Sequence, residues 1–298
     1  MKIKEKSILT QRVGAEKIIY AVIAAVFFLY SAVLVFPFIW LFVQSFGNYL
    51  TYDYDAFSIT GATFFYIPKQ WHFENYINAF SLLKTDNGVN FFGMVINSVW
   101  YVGVGVLMSA FWHSLTGYVF AKYTFRGKSF IYTLAIFSMT IPLVGSSAAL
   151  YRLVATIGIY DKGPLYLIVT GFGGFGGSFL MMYGIFKAIS WTYVEAVYID
   201  GGNDLTAFFK IMLPQALPAI FAIMVSEGIS LWNNYTQVLL YMPSTPTLAS
   251  GLYQLKTAHT PLPLYYAGLV ISMIPVVVLY AFMSGSMMKN LSIGGIKG

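Results

Sequence analysis

Three histidines, eleven acidic residues and no cysteine are what this 298-residue chain offers for acid–base, nucleophilic or metal chemistry. Their spacing decides against most of it. His72, His113 and His259 stand far apart, with no H-E-x-x-H or comparable ligand spacing. The lack of cysteine removes disulfides, thiol chemistry and thiolate metal sites. No G-x-S-x-G or Ser/His/Asp arrangement occurs, and the acids are dispersed. Gly127-Lys128-Ser129 copies the end of a phosphate-binding loop, but Lys122 stands where that loop requires glycine. Gly171, Gly173 and Gly176 spell G-x-G-x-x-G after the apolar run Leu165-Tyr166-Leu167-Ile168-Val169. That run is part of a membrane-length segment with no βα units after it, so these glycines are read as sites of close helix approach. His113, inside another apolar stretch, is expected to make an interhelical hydrogen bond. Glu227 is the exception: an ionisable group within a long apolar run, followed by Trp232, Asn233, Asn234 and Tyr235. Such a group faces a protein interior or a watery cavity. Two readings stay open, a pathway-lining cluster or a structural partner for a neighbouring chain, with Trp232 and Tyr235 fitting an interfacial aromatic belt equally well.

The elements that carry these residues follow from composition. Charged residues make up 9% of the chain and hydrophobic ones 58%, against about 25% charged in a soluble domain. The chain is therefore read as an all-α, polytopic membrane protein without a second, water-soluble catalytic domain. A bilayer core of about 30 Å takes roughly 20 apolar residues as a helix, and six stretches reach that length: 18–46, 91–121, 128–156, 164–189, 215–242 and 264–288. Backbone groups in lipid must be bonded within their own segment, so each stretch is predicted to be helical. Pro37, Pro142 and Pro275 are expected to kink the first, third and sixth. Residues 1–17 form a basic arm with Lys2, Lys4, Lys6, Arg12 and Lys17, suited to an anionic leaflet, and 18–298 form one six-helix domain. With the N-terminus inside, the inner segments hold 12 Lys and Arg and the outer segments 5. The positive-inside rule then puts both termini and the 190–214 loop in the cytoplasm, and the 47–90 and 243–263 loops outside. The net charge of +6 is thus an orientation signal rather than a nucleic-acid surface.

The inner loop between the fourth and fifth stretches is a polar island, Glu-Ala-Val-Tyr-Ile-Asp-Gly-Gly-Asn-Asp-Leu-Thr-Ala-Phe-Phe-Lys-Ile-Met-Leu-Pro, from Glu195 to Pro214. Physically it reads as a turn or two of helix, a Gly201-Gly202 stop in left-handed geometry, and a second short helix capped by Asn203 or Asp204. That second helix is expected to expose Phe208, Phe209, Ile211 and Met212 before Pro214 opens the fifth span. An apolar face outside the bilayer calls for a partner, or else packs on the chain's own helix ends.

This loop resembles the EAA motif of type I ABC importer permeases: Glu195, Ala196, Gly201, Ile211, Leu213 and Pro214 fall in register, with Val197 replacing an alanine. Tyr198-Ile199-Asp200-Gly201 is similar to the extension found in the carbohydrate, maltose-transporter-type branch. So are the Trp71–Phe80 segment, Asn97-Ser98, Tyr118 with Ala121, Phe125-Arg126-Gly127-Lys128, Ile141-Pro142, Trp232-Asn233, Thr247-Leu248, Ile274-Pro275 and the tail Gly294-Gly295-Ile296-Lys297-Gly298. Ser190-Trp191 stands where the family has Ile-Pro, and 283–290 departs from its polar, basic helix end. The resemblance covers the chain from about residue 20 onward. It implies a six-helix bacterial inner-membrane permease that imports sugar, an oligosaccharide for preference, with a homologous permease subunit, two ATP-binding subunits and an extracytoplasmic solute-binding protein. This chain would hold no cofactor and carry out no catalysis, ATP and Mg belonging to the ATPase subunits. The resemblance assigns ATPase coupling to Glu195, Ala196, Asp200, Gly201, Phe208, Phe209, Ile211, Leu213 and Pro214. It also makes Glu227, Trp232, Asn233, Asn234 and Tyr235 candidates for a sugar pathway, since hydrogen-bonding side chains and aromatic faces are what sugars bind. Two rivals are a permease of the same kind for a non-sugar solute and an ATP-independent secondary transporter. The latter has no use for such a loop and normally shows inverted repeats, which this sequence lacks.

Overall fold

The computed structural model describes the backbone of residues 2–48, 67–68, 70–85, 88–140, 146–171, 175–258 and 260–291, with side chains for all of these except 2–15 and 279–291. Ile141-Pro142, Gly173, His259 and the 294–298 tail lie outside the described residues. Among the described residues the regular structure is helical, apart from one isolated bridge between Lys84 and Asn90. In chain order the helices are α1 (Lys2–Gln44), α2 (Glu74–Leu82), α3 (Phe91–Lys122), α4 (Lys128–Thr140), α5 (Ser146–Thr156), α6 (Gly163–Thr170) and α7 (Gly177–Ala188). They are followed by α8 (Thr192–Ile199), α9 (Asp204–Thr206), a π-helical turn (Ala207–Met212), α10 (Leu213–Trp232), α11 (Tyr235–Tyr241), α12 (Leu248–Thr257) and α13 (Leu262–Leu291).

Three described helices are long and apolar enough to cross a bilayer: Glu16–Gln44, Phe91–Lys122 and Asp204–Trp232. The basic arm is helical from Lys2 and continuous with the first span. The fourth expected span comprises two helices, α6 with α7, and the fifth is α10 with α11, while the third holds α4 and α5 on either side of residues outside the described set. Hydrophobic periodicity does not register such breaks, but local chemistry accounts for both. Between α6 and α7 the sequence is rich in glycine, each costing about 1 kcal/mol against alanine in a helix. Between α10 and α11 Asn234 Oδ1 accepts the Gln237 N–H at 3.0 Å and starts a new helix.

The helices group into two compact units. In the unit of residues 1–80 with 260–271, residues 16–39 are exposed all along α1, as befits a helix apolar on every side. Beyond its end, Phe46 is buried among the rings of Phe42, Trp71, Phe73 and Tyr76, all with centroids within 5.2 Å. Buried Asn75 locks this corner by donating to the Ser45 and Gly47 carbonyls, both at 2.8 Å. His72 bonds Glu74 at 2.6 Å and holds its carboxyl below the usual range.

The unit of residues 81–259 with 272–298 is built on α3, against which α6, α7, α10 and α12 pack. Gly117 permits the α3–α7 crossing: a Cβ there would lie 2.7 Å from Met182 Cβ and 3.0 Å from backbone atoms of Met182 and Tyr183. At Gly171, one of the fingerprint glycines, a Cβ would likewise lie 3.0 Å from Met108 Cβ of α3. Among the described residues His113 bonds only within its own helix. Its Nδ1 lies 2.7 Å from the Ser109 carbonyl oxygen one turn back, because an i−4 carbonyl lies within reach of a helical side chain.

Candidate coupling loop and intramembrane cluster

The 190–214 loop builds itself from local rules. The Ser190 hydroxyl accepts the Thr192 N–H at 3.3 Å, so α8 starts without the Ile-Pro of the related motif. Val194 and Val197 form its buried side, while Glu195, Ala196, Tyr198, Ile199 and Asp200 are exposed. The helix ends in a Schellman turn: Gly202 N–H reaches the Val197 carbonyl at 2.8 Å and Gly201 N–H the Tyr198 carbonyl at 3.0 Å. Gly201 takes φ +75°, and at Gly202 a Cβ would meet Val197 Cγ1 at 2.5 Å, so both glycines are required, for different reasons. Asn203 then caps the next helix by accepting the Thr206 N–H at 2.9 Å.

From here the structure corrects the sequence expectation. The second segment is no separate short helix opening into a span at Pro214. Asp204–Trp232 is one continuous helix, and its inward stripe of Phe208, Met212, Ala216, Ile220 and Ile223 extends the core into the loop. Phe208 (2% exposed) and Met212 are buried rather than displayed, with the Phe208 ring 5.0 Å from that of Tyr118. Ile211 and Leu213 are half-buried, and Pro214 is exposed. The apolar residues that do face outward are Ile199 (86% exposed), Leu205 and Phe209. Pro214 lacks the N–H that would bond Lys210, and its ring crowds that carbonyl. The helix widens just before it, with the Leu213 N–H reaching five residues back to Phe208. Such π turns gather at functional positions.

Sequence reasoning passed over the polar centre of this region. Asp204 Oδ1 accepts hydrogen bonds from Tyr123 OH, at 2.7 Å, and from Tyr198 OH. Tyr123 OH lies 3.2 Å from Tyr118 OH, and Lys122 Nζ donates to the Ile189 carbonyl. The bonds from Tyr198 and Tyr123 hold the Asp204 carboxyl below its usual range. The bond to Asp204 pushes the Tyr198 phenol up, and burial, chiefly, does the same to Tyr123. The signal available was an acid placed directly after an N-cap asparagine, where it is not needed for capping.

The intramembrane residues are distributed over separate partners. Glu227 Oε1 accepts from Ser178 Oγ of α7 at 3.1 Å. Asn233 Nδ2 turns back to the Ile229 carbonyl at 2.9 Å, and Asn234 serves as the α11 cap. Tyr235 stacks on Tyr253 of α12, centroids 4.4 Å apart and planes at 13°, while Trp232 is half-buried.

Broken apolar helices gathered on one long central helix, with a glycine-turned loop outside them, define a helical membrane transport subunit. The chain belongs to the family described as "binding-protein-dependent transport system inner membrane component", matched over residues 113–287. It is 28% identical over 243 residues to the arabinooligosaccharides transport system permease protein AraQ of Halalkalibacterium halodurans, covering 80% of this chain and 84% of that one. It is 30% identical over 194 residues to the maltodextrin transport system permease protein MdxG of Bacillus subtilis, covering 62% and 68%. A solved bacterial ABC transporter involved in import of the acidic polysaccharide alginate has a chain of similar fold, with TM-score 0.66 at 22% identity, covering 91% of this chain and 97% of that one.

Proposed function

We propose that this chain is one of two permease subunits of an ATP-driven importer for sugars, oligosaccharides in particular, and that its 190–214 loop seats in a separate ATPase subunit. The carrying observation is the outward-facing apolar group Ile199, Leu205 and Phe209, flanked by Glu195 and Asp200 and shaped by a turn that only glycine permits. Relatives named for arabinooligosaccharides and maltodextrin support the solute class. In this reading the chain crosses the membrane six times with both termini and this loop in the cytoplasm, and the surplus of Lys and Arg on that side supports it. ATP binding closes the ATPase pair and carries the seated loops with it. ATP and the loaded solute-binding protein each shift the balance toward an outward-open state only through tighter binding to that state. Glu227 with Ser178, and the Tyr235–Tyr253 stack, offer the polar and aromatic surfaces a sugar needs.

Two substitutions test the reading. Glu195→Ala removes the charged contact, and Gly201→Asp forces a β-carbon into left-handed geometry at a cost of about 1–2 kcal/mol. Both are expected to abolish uptake by the assembled importer while membrane insertion stays at wild-type level. Wild-type uptake by both variants refutes the coupling assignment.

A further inference from the structure

We propose that Asp204 is a positioning residue that fastens the coupling loop to the end of α3, so that motion of the loop is delivered to that helix. This rests on the coupling reading above and adds the point where the force enters the membrane domain. Asn203 already caps the helix that begins at Asp204, leaving the Asp204 carboxylate free for another task. Its Oδ1 gathers three segments: Tyr123, just past α3; Tyr198, on α8; and the first turn of the Asp204–Trp232 helix. Apolar contacts run alongside. The Tyr123 ring meets Trp191 edge-on at 5.8 Å, and Tyr118 of α3 covers Phe208. The ionised acceptor and neutral phenol donors, consistent with the depressed Asp204 and raised tyrosine titrations described above, make these bonds charge-assisted. The carboxylate is nevertheless exposed, and exposed charged contacts add little to folding stability. Its loss should therefore affect coupling more than melting temperature.

The chain contains no cysteine, so single thiols report on each end separately. In the intact importer, Ile199→Cys reports seating of the loop by its protection from maleimide. Phe92→Cys, exposed at the opposite end of α3, reports transmitted motion. With ATP and vanadate, the labelling rate at position 92 is expected to change at least about fivefold in the otherwise unaltered chain, the lower end of usual allosteric coupling. Asp204→Ala and Tyr123→Phe should each reduce that change to below about twofold. They should leave protection at 199, copurification of the ATPase and melting temperature unaltered. Asp204→Asn, which keeps the acceptor oxygen, should recover most of the response, and Tyr123→Phe should add nothing to Asp204→Ala. The proposal is overturned by an undiminished response at 92 in Asp204→Ala, by an unaltered chain that shows no response there, or by loss of the ATPase from Asp204→Ala. If Asp204→Ala fails to insert, Tyr123→Phe decides alone: a full response at 92 overturns the proposal. Failure of the coupling reading itself looks different, since position 199 would then label equally with and without the ATPase subunit.

Discussion

Replacing Gly117 by alanine should loosen the α3–α7 crossing, and the structure supplies both the size of the effect and its control. The new Cβ would stand 2.7 Å from Met182 Cβ and 3.0 Å from the Met182 carbonyl carbon and the Tyr183 nitrogen. Carbon atoms rest about 3.5–4.0 Å apart, so the helices must separate by roughly 1 Å, because backbone atoms cannot swing aside as a side-chain tip can. Overpacking of this kind costs about 1–3 kcal/mol. Gly103 lies on the same helix and has nothing within 4 Å of its own Cβ position. Gly103→Ala thus shares the helix-propensity gain of about 1 kcal/mol without the clash, and the difference between the two variants isolates the crossing. At about 2–4 °C per kcal/mol for chains of this size range, Gly117→Ala should melt about 2–12 °C below Gly103→Ala. The assay is intrinsic fluorescence of the six tryptophans during heating in detergent. Uptake should fall in Gly117→Ala alone, since Tyr118, Met182 and Phe186 at this crossing support Phe208 beneath the loop. Equal or higher melting of Gly117→Ala would refute the reasoning.

Further outcomes follow from the same geometry. Ile199→Asp combined with Leu205→Asp places two carboxylates in an apolar seat and should reduce copurification of the ATPase subunit by at least about tenfold, an unpaired buried charge costing several kcal/mol; wild-type recovery would show that this face is not the seat. Glu227→Gln should raise the oligosaccharide concentration needed for half-maximal uptake by about tenfold, as loss of a hydrogen bond to a charged group costs about 1.5 kcal/mol or more. An unaltered half-maximal concentration for whichever sugar is carried would leave Glu227 as a structural partner of Ser178.

Much of this was legible in the sequence wherever one residue type forces one conformation. Gly201 and Gly202 gave away the stop of α8, Asn203 the start of the next helix, and the scarcity of charge the membrane. What escaped was information held between segments. Phe208 and Met212 look like a display surface in a short loop helix. They become core once the helix runs unbroken into α10, because residues 208, 212, 216 and 220 then form one stripe with a period of four. Asp204 could be seen as a cap, but its bond to Tyr123 spans 81 residues, and no local rule announces such a partner. The apolar runs 164–189 and 215–242 were long enough to be single helices. Length and hydropathy measure burial in lipid, not continuity of the hydrogen-bond ladder, so the breaks within them stayed hidden.

Under the proposed coupling, the arrangement around α3 gives the 190–214 loop a route to the far end of that helix. The helix has 32 residues, about 48 Å at 1.5 Å per residue. At one end Tyr118 covers Phe208. At the other, Asn97 donates to the Pro246 carbonyl at 2.9 Å and Ser98 Oγ accepts the Leu248 N–H at 2.9 Å, tying in the start of α12. A tilt of about 5° at the loop end therefore carries the far end through roughly 4 Å, enough to break or remake hydrogen bonds of that length. Close packing transmits such a tilt to neighbouring helices, and α3 presents glycine where they press closest: Gly105 beneath Leu231 and Gly117 against Met182. A stiff helix fastened at one end beneath the loop and at the other to the start of α12 can carry motion between them, and that property requires no contact between the 190–214 loop and the solute.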